Sequence, residues 1–248
     1  MKYLTIIPIL LFSQIPLYAQ KDLANQILED YDNAMFLIAL EHFIELSEDE
    51  SVKTHWQNVY DEVKTAVRKH LWNENEQKFI PHIYITFDSF EQHDFDESEI
   101  FYHGGTAVAA QAGILSEEEM LGSLEKMVEN QKQSGAQSIG LTLYPPYPGD
   151  SFVNDGFEPY QYQNGGDWTW FGGRMIIELA ENGFYEEAYQ YLQPFIDRVI
   201  AHDGFYEWYS VSGEPHGSGT FGGSAGVLME AIDVLKRWAL QTTTDAKD

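Results

Sequence analysis

Tyr162-Gln163-Asn164-Gly165-Gly166-Asp167-Trp168-Thr169-Trp170 joins a glycine turn to an apolar, helix-periodic run that continues to Asn182. Paired glycines let a backbone turn sharply and let a neighbouring helix or a ligand come close. Asp, like Ser and Thr, carries a side-chain oxygen able to cap the free N–H groups of a helix start. The same local pattern occurs at His103-Gly104-Gly105-Thr106 and Phe221-Gly222-Gly223-Ser224, so Gly-Gly pairs begin at 104, 165 and 222, roughly 60 residues apart. One helical hairpin with a long loop fills that interval. The recurrence predicts stacked helical hairpins forming a solenoid or a closed toroid.

The rest of the chain fits such units. Helical spacing runs over Leu23–Leu46 (Ile27, Met35, Ile38, Phe43) and Ser51–Leu71 (Val52, Trp56, Val59, Val63, Val67), an antiparallel pair. Further helices are predicted at Gly105–Ile114, Ser116–Gln133, Asp167–Asn182, Tyr185–Ala201 and Thr220–Leu240. Ser116 and Glu119 have capping-box spacing, and Gly183 is placed to end the helix before it. Aromatic stretches at Lys78–Phe87 and Gly204–Tyr209 suggest short β-hairpins between helices. The segment Gly140–Gly165, with four prolines and little periodicity, is a long loop of the kind that is more often functional than idle.

Composition narrows the function. Among 248 residues, 40 Asp and Glu against 14 Lys and Arg give a formal charge of −26, a field that repels phosphate backbones, so nucleic acid is excluded as a partner. Apolar residues make up 44% of the chain, enough for a sizeable core. Lys2 and the apolar stretch Tyr3–Leu17, followed by Ala19, have the form of a secretory signal peptide over 1–19, interrupted by Pro8, Gln14 and Pro16. The expectation is a secreted, periplasmic or extracellular domain over 20–248 with no membrane span after cleavage. Cysteine is absent, so that domain relies on its core without disulfides. The acidic run Asp88, Glu91, Asp94, Asp96, Glu97 and Glu99 lacks the Gly-centred calcium-loop pattern, and neither metal nor cofactor is expected.

Aromatic residues reach 15% and gather in loops beside carboxylates and amides. A sugar offers an apolar ring face for stacking and hydroxyls for polar side chains, so an oligosaccharide suits this inventory. Tyr162, Asn164, Trp168 and Trp170 in one run, and Trp208 and Tyr209 in Asp203-Gly204-Phe205-Tyr206-Glu207-Trp208-Tyr209, are candidate binding residues. His103, Glu214 and His216 join them. Glu207 and Asp167 are the candidate acid–base carboxyls, since glycosidic cleavage needs two on opposite sides of the bond. Asp167 also fits a plain helix cap, because Thr106 and Ser224 hold the equivalent positions.

Three segments carry a resemblance. Tyr162–Trp170, Phe205-Tyr206-Glu207-Trp208-Tyr209, and Gly213-Glu214-Pro215-His216-Gly217-Ser218-Gly219-Thr220-Phe221-Gly222-Gly223-Ser224-Ala225 resemble the closing segments of six-hairpin, (α/α)6-toroid glycosidases, nearest to processing α-glucosidases and debranching-type glucosidases. Asp30-Tyr31-Asp32-Asn33-Ala34-Met35 resembles an inner helix from the middle of such a barrel. The resemblance covers about Asp30 to Leu240. It implies an all-α, incomplete (α/α)6 toroid with short β-hairpins in its loops, acting on α-glucosides or related oligosaccharides by inversion, with Glu207 as base. The family draws its general acid from a preceding segment that has no counterpart here, and about seven helices stand against the family's twelve. A non-catalytic sugar-binding relative, or an epimerase or lyase on the same fold, is the alternative. A partial toroid exposes inner-helix surface, so self-association or a partner chain is expected.

Overall fold

The computed structural model describes residues 27–245 except 81, 85–94, 150, 153 and 154. Seven α-helices are present among the described residues: α1 Asp30–Leu46, α2 Glu50–Leu71, α3 His103–Gln111, α4 Glu117–Ser134, α5 Thr169–Glu181, α6 Tyr185–His202 and α7 Gly222–Asp245. Each follows an apolar periodicity, and every predicted helix is found with its ends shifted by a few residues. Residues 23–26 of the first predicted helix lie outside the described residues, and Ile27–Glu29 of that stretch form a strand instead.

The helices alternate between two rows. Helices α1, α3, α5 and α7 pack on one another in that order, while α2, α4 and α6 each lie against the inner helix that precedes them. The outer helices are amphipathic, burying Met120, Leu124 and Met127 on α4 and Ala188, Leu192 and Phe195 on α6. Inner α5 is buried on most sides, with its own Phe171, Met175, Ile176, Ile177, Leu179 and Ala180 in the core. Its remaining stripe, Trp170, Arg174, Glu178 and Glu181, is only partly covered or exposed. Two core patches share this framework: one joins α3 through α7, and the other joins α1, α2, α3 and the start of α5.

Glycine sets how closely the inner helices approach. A methyl group on Gly104 would lie 3.1 Å from the Phe171 ring, and one on Gly173 would lie 2.6 Å from Val227. The three Gly-Gly pairs are therefore not equivalent. Gly104–Gly105 and Gly222–Gly223 lie within the first turns of α3 and α7, whereas Gly165–Gly166 precede α5 in a loop, with Gly165 at φ +90°. In α5 the close-packing pair is Gly172–Gly173.

The expected caps are corrected as well. The hydroxyl of Thr106 donates back to the Tyr102 carbonyl at 2.7 Å, and the N-cap of α5 is Trp168. Ser224 is buried with its hydroxyl unpartnered. Thr106, Asp167 and Ser224 therefore do not cap α3, α5 and α7. The capping box of α4 is as expected: Ser116 accepts from the Glu119 N–H and Glu119 accepts from the Ser116 N–H at 2.8 Å. Arg68 of α2 meets the same Glu119 at 2.7 Å, tying the first hairpin to the second. Gly183, at φ +87°, follows the end of α5.

Three two-stranded antiparallel sheets are present among the described residues: β1 Ile27–Glu29 with β4 His82–Tyr84, β2 Trp72–Asn73 with β3 Lys78–Phe79, and β5 Trp208–Tyr209 with β6 Pro215–His216. The stretch Lys78–Phe87 is thus divided between two of them, its last residues lying outside the described set. No described helix is long and apolar enough to cross a membrane. The expected signal segment 1–19 and the acidic residues Asp88, Glu91 and Asp94 also lie outside the described residues.

Candidate functional site

The loops entering α5 and α7 meet along a seam of backbone pairings. Leu141 pairs with Asp167, Asp167 with Tyr209, and Tyr209 with Pro215, so the segment after α4, the entry to α5 and the β5–β6 hairpin run side by side. Asp167 N–H donates to the Tyr209 carbonyl at 2.9 Å, and Tyr209 N–H returns to the Asp167 carbonyl at 2.8 Å. Phe205 and Thr220 close the far end of the hairpin, where Phe205 N–H reaches the Gly219 carbonyl.

Glu207 projects from this hairpin and is partly exposed. The Tyr162 hydroxyl points to its Oε1 at 3.4 Å, a loose hydrogen bond. Gly217, at φ +73°, backs it so closely that an added methyl would collide with the Glu207 side chain. Burial, and after it the Glu207 charge, raises the Tyr162 phenol above its ordinary value, which keeps it a neutral donor. Around the pair stand Trp208, with His216 stacked on it at 4.2 Å and 14°, and Tyr162, edge-on to Trp168 at 5.1 Å and to Phe157 at 5.5 Å. Tyr160 and Tyr162 both hold positive φ, 66° and 45°. Non-glycine residues in that region are strained, and such strain gathers where loops present side chains for function.

Glu207, Tyr162, Trp208 and His216 therefore share one partly open surface. The other expected residues lie elsewhere. Asp167 is 0% exposed; its carboxylate accepts from the Ser138 N–H at 3.0 Å, from the Ser138 hydroxyl, and from Arg198 at 2.8 Å. It neither caps α5 nor faces open space. His103 is buried, hydrogen-bonded to Asn130 at 2.9 Å and stacked on Phe101, and burial depresses its pKa to about 3. It is a neutral packing group, not a ligand contact. Asn164 is spent on backbone: its amide group bonds Tyr147 N–H and C=O and the Phe157 carbonyl. Trp168 is core, donating Nε1–H to the Tyr162 carbonyl at 3.0 Å, and Tyr209 is core with its ring over Arg198. Glu214 is exposed at the turn end of the hairpin, where its N–H donates to Ser210. Asp167, His103, Asn164, Trp168 and Tyr209 are buried, and Glu214 alone of this group is exposed.

Trp170 is half-buried on the inner stripe, with the Arg174 guanidinium 4.1 Å over its ring and Tyr31 beside it. Farther along that stripe Glu178 has its pKa raised to about 7, chiefly by burial and then by Glu181, Glu230 and Glu41. At 1.5 Å per residue it lies about 13 Å along α5 from the loop end, a depth that separates it from the Glu207 surface. Sequence reasoning missed Arg198 and Ser138. Arg198 was marked by its register, three residues after Phe195 and six after Leu192 on the buried face of α6.

No protein-family model matches the chain, and no curated protein does. Solved structures do. A GH63 mannosylglycerate hydrolase from Thermus thermophilus in complex with glucose has a TM-score of 0.60 at 16% identity, covering 92% of this chain and 53% of its own. The same enzyme with Tris and D-glycerate gives 0.57 at 16% identity, covering 85% and 46%. An uncharacterized conserved protein from that organism gives 0.57 at 16%, covering 85% and 47%. The chain spans about half the length of these proteins. Its fold is the all-α, toroid-like array of helical hairpins found in glycoside hydrolases of this kind, represented here by part of the ring.

Proposed function

We propose that this chain is a glycoside-hydrolase-like protein that engages an α-glucoside or related oligosaccharide at the surface formed by Glu207, Tyr162, Trp208 and His216, with Glu207 activating water for inversion. One observation carries the reading: of the two candidate carboxylates, Glu207 alone stands at the partly open aromatic surface, with a neutral phenol donor beside it. The resemblance of Phe205–Tyr209 to the base-bearing segment of toroid glucosidases supports it. Trp208 and Tyr162 supply ring faces and edges for a sugar, and Tyr162 orients the carboxylate. An inverting cleavage also needs an acid about 6.5–9.5 Å from the base, and Asp167, turned into the core, does not supply it in this arrangement. In this reading the chain is an exported domain over 20–248, and the acid comes from outside the described residues.

Sugar release from a panel of α-linked gluco-oligosaccharides and α-glucosides tests the activity. Mannosylglycerate belongs in the panel because the solved neighbours are named for its hydrolysis. Turnover with the opposite anomer as first product is expected, and equal rates for wild type and Glu207→Gln would overturn the base assignment. Binding by calorimetry without turnover identifies a sugar-binding relative, whereas an altered stereocentre or an unsaturated product identifies an epimerase or a lyase. The ends of the inner row favour a second element of the reading. Phe36 (42% exposed) and Leu46 (83%) on α1, and Met229 (66%) and Leu240 (59%) on α7, leave apolar surface bare. We infer that these faces are covered by self-association or by a partner chain.

A further inference from the structure

We propose that Arg198 and Asp167 form a positioning pair that sets the Glu207 loop; its catalytic consequence rests on the reading of Glu207 above, and its structural part does not. The pair is deeply buried, with Arg198 3% and Asp167 0% exposed. One arm of the guanidinium meets Asp167 at 2.8 Å, and the other meets the Thr169 hydroxyl in the first turn of α5 at 2.6 Å. Its Cζ lies 4.5 Å from the centre of the Phe195 ring and 4.1 Å from that of the Tyr209 ring. A planar, permanently charged fork packed against two aromatic rings and bonded through both arms has little freedom, so the carboxylate it holds is fixed in turn.

What that carboxylate fixes is the seam. Asp167 exchanges two backbone hydrogen bonds with Tyr209, two residues after Glu207, and pairs with Leu141 on its other side. Gly140 admits this close passage, since a methyl there would strike the Asp167 carboxylate and the Trp168 carbonyl. Helix α6, the segment after α4, the start of α5 and the β5–β6 hairpin therefore meet at one ion pair. A buried pair of this kind is weak evidence for stability as such, because a well-packed apolar replacement often does as well. Its distinguishing contribution is orientation: the guanidinium fork ties the hairpin to α6, whereas the hairpin's own ladder is only two residues per strand. Loss of the fork frees the hairpin without melting the helices.

Hydrogen–deuterium exchange and kinetics on the full chain test this in Arg198→Met and Arg198→Lys. In Arg198→Met, amide exchange across 205–217 is expected to rise about tenfold or more while that of α4 stays as in wild type. Turnover of the preferred oligosaccharide is expected to fall about 100-fold in kcat, the effect of a catalytic group displaced by about 1 Å, with KM nearly unchanged. Arg198→Lys, which keeps the charge, is expected to recover part of both. Should Arg198→Met not fold, the Arg198→Met/Asp167→Asn double variant leaves no unpaired buried charge and is expected to show the same selective exchange. Wild-type exchange across 205–217, or a rise shared equally with α4, overturns the proposal. If Glu207→Gln proves as active as wild type, the base assignment falls and the exchange arm still decides the positioning pair.

Discussion

At the scale of single residues, chemistry divides according to burial. Asp167 and Glu207 are both carboxylates beside aromatic rings, yet one has no exposed surface and three donors, and the other faces outward with one phenol. Sequence spacing placed both within aromatic runs but held no information on which faced inward, because that depends on the seam pairing distant segments. Arg198 shows the converse. Its register on α6 was legible, but a lone Arg on an apolar stripe acquires meaning only when a carboxylate 31 positions earlier meets it. Glu178 yields a pH prediction at this scale. Its folded pKa, about 7, lies above the ordinary value of 4.5, so the native state holds the proton more tightly than the unfolded chain. Its contribution is fully present below about pH 4.5 and is lost as pH rises through 7. Glu178→Gln is expected to stabilise the protein by about 1–3 kcal/mol above pH 8 relative to wild type, and to change little at pH 4.5. Denaturant melts at the two pH values measure this, and parallel curves for both proteins would refute the buried-carboxyl account.

At the scale of elements, the seven described helices follow from apolar periodicity, and a side-chain cap adds to it at α2 and α4. The reasons for their glycines were not legible. Gly-Gly looked like a start signal with a following cap, whereas Gly104, Gly173 and Gly223 mark where one inner helix meets another closely. Both uses leave the same letters in a sequence, and only the neighbour decides between them. Gly172 is the strictest case, with a methyl there lying 3.1 Å from the Gly140 Cα and overlapping the Phe195 ring. Gly172→Ala gains helix propensity of about 1 kcal/mol, but overpacking of about 1–3 kcal/mol opposes it. A net loss of stability is expected, read as a lower denaturant midpoint. A higher midpoint would show that the α5 contact yields without strain. The loop Gly140–Gly165 combines both kinds of work, with Asn164 clamping Tyr147 and Phe157 while Tyr162 reaches Glu207.

At the scale of the whole molecule, four inner helices form a row whose ends, α1 and α7, each leave a lateral face bare. On α7 that face includes Gly222, Gly226 and Met229, with open space beside both glycines. Small residues beside an exposed Met form a surface suited to helix packing. If self-association covers it, light scattering on residues 20–248 is expected to give more than the monomer's mass, with Met229→Glu returning it to the monomer. A wild-type monomer at high concentration would exclude self-association and leave the partner-chain reading.

The amino-acid sequence by itself determined the hairpin repeat, the seven helices, the α4 capping box and the aromatic loops, because these depend on periodicity and contacts a few residues apart. Only the tertiary structure decided which carboxylate reaches the surface, which glycines pack helices, and that Arg198 meets Asp167. Those outcomes come from segments tens of residues apart sharing one dry interior, where an unpaired charge or an extra methyl is costly.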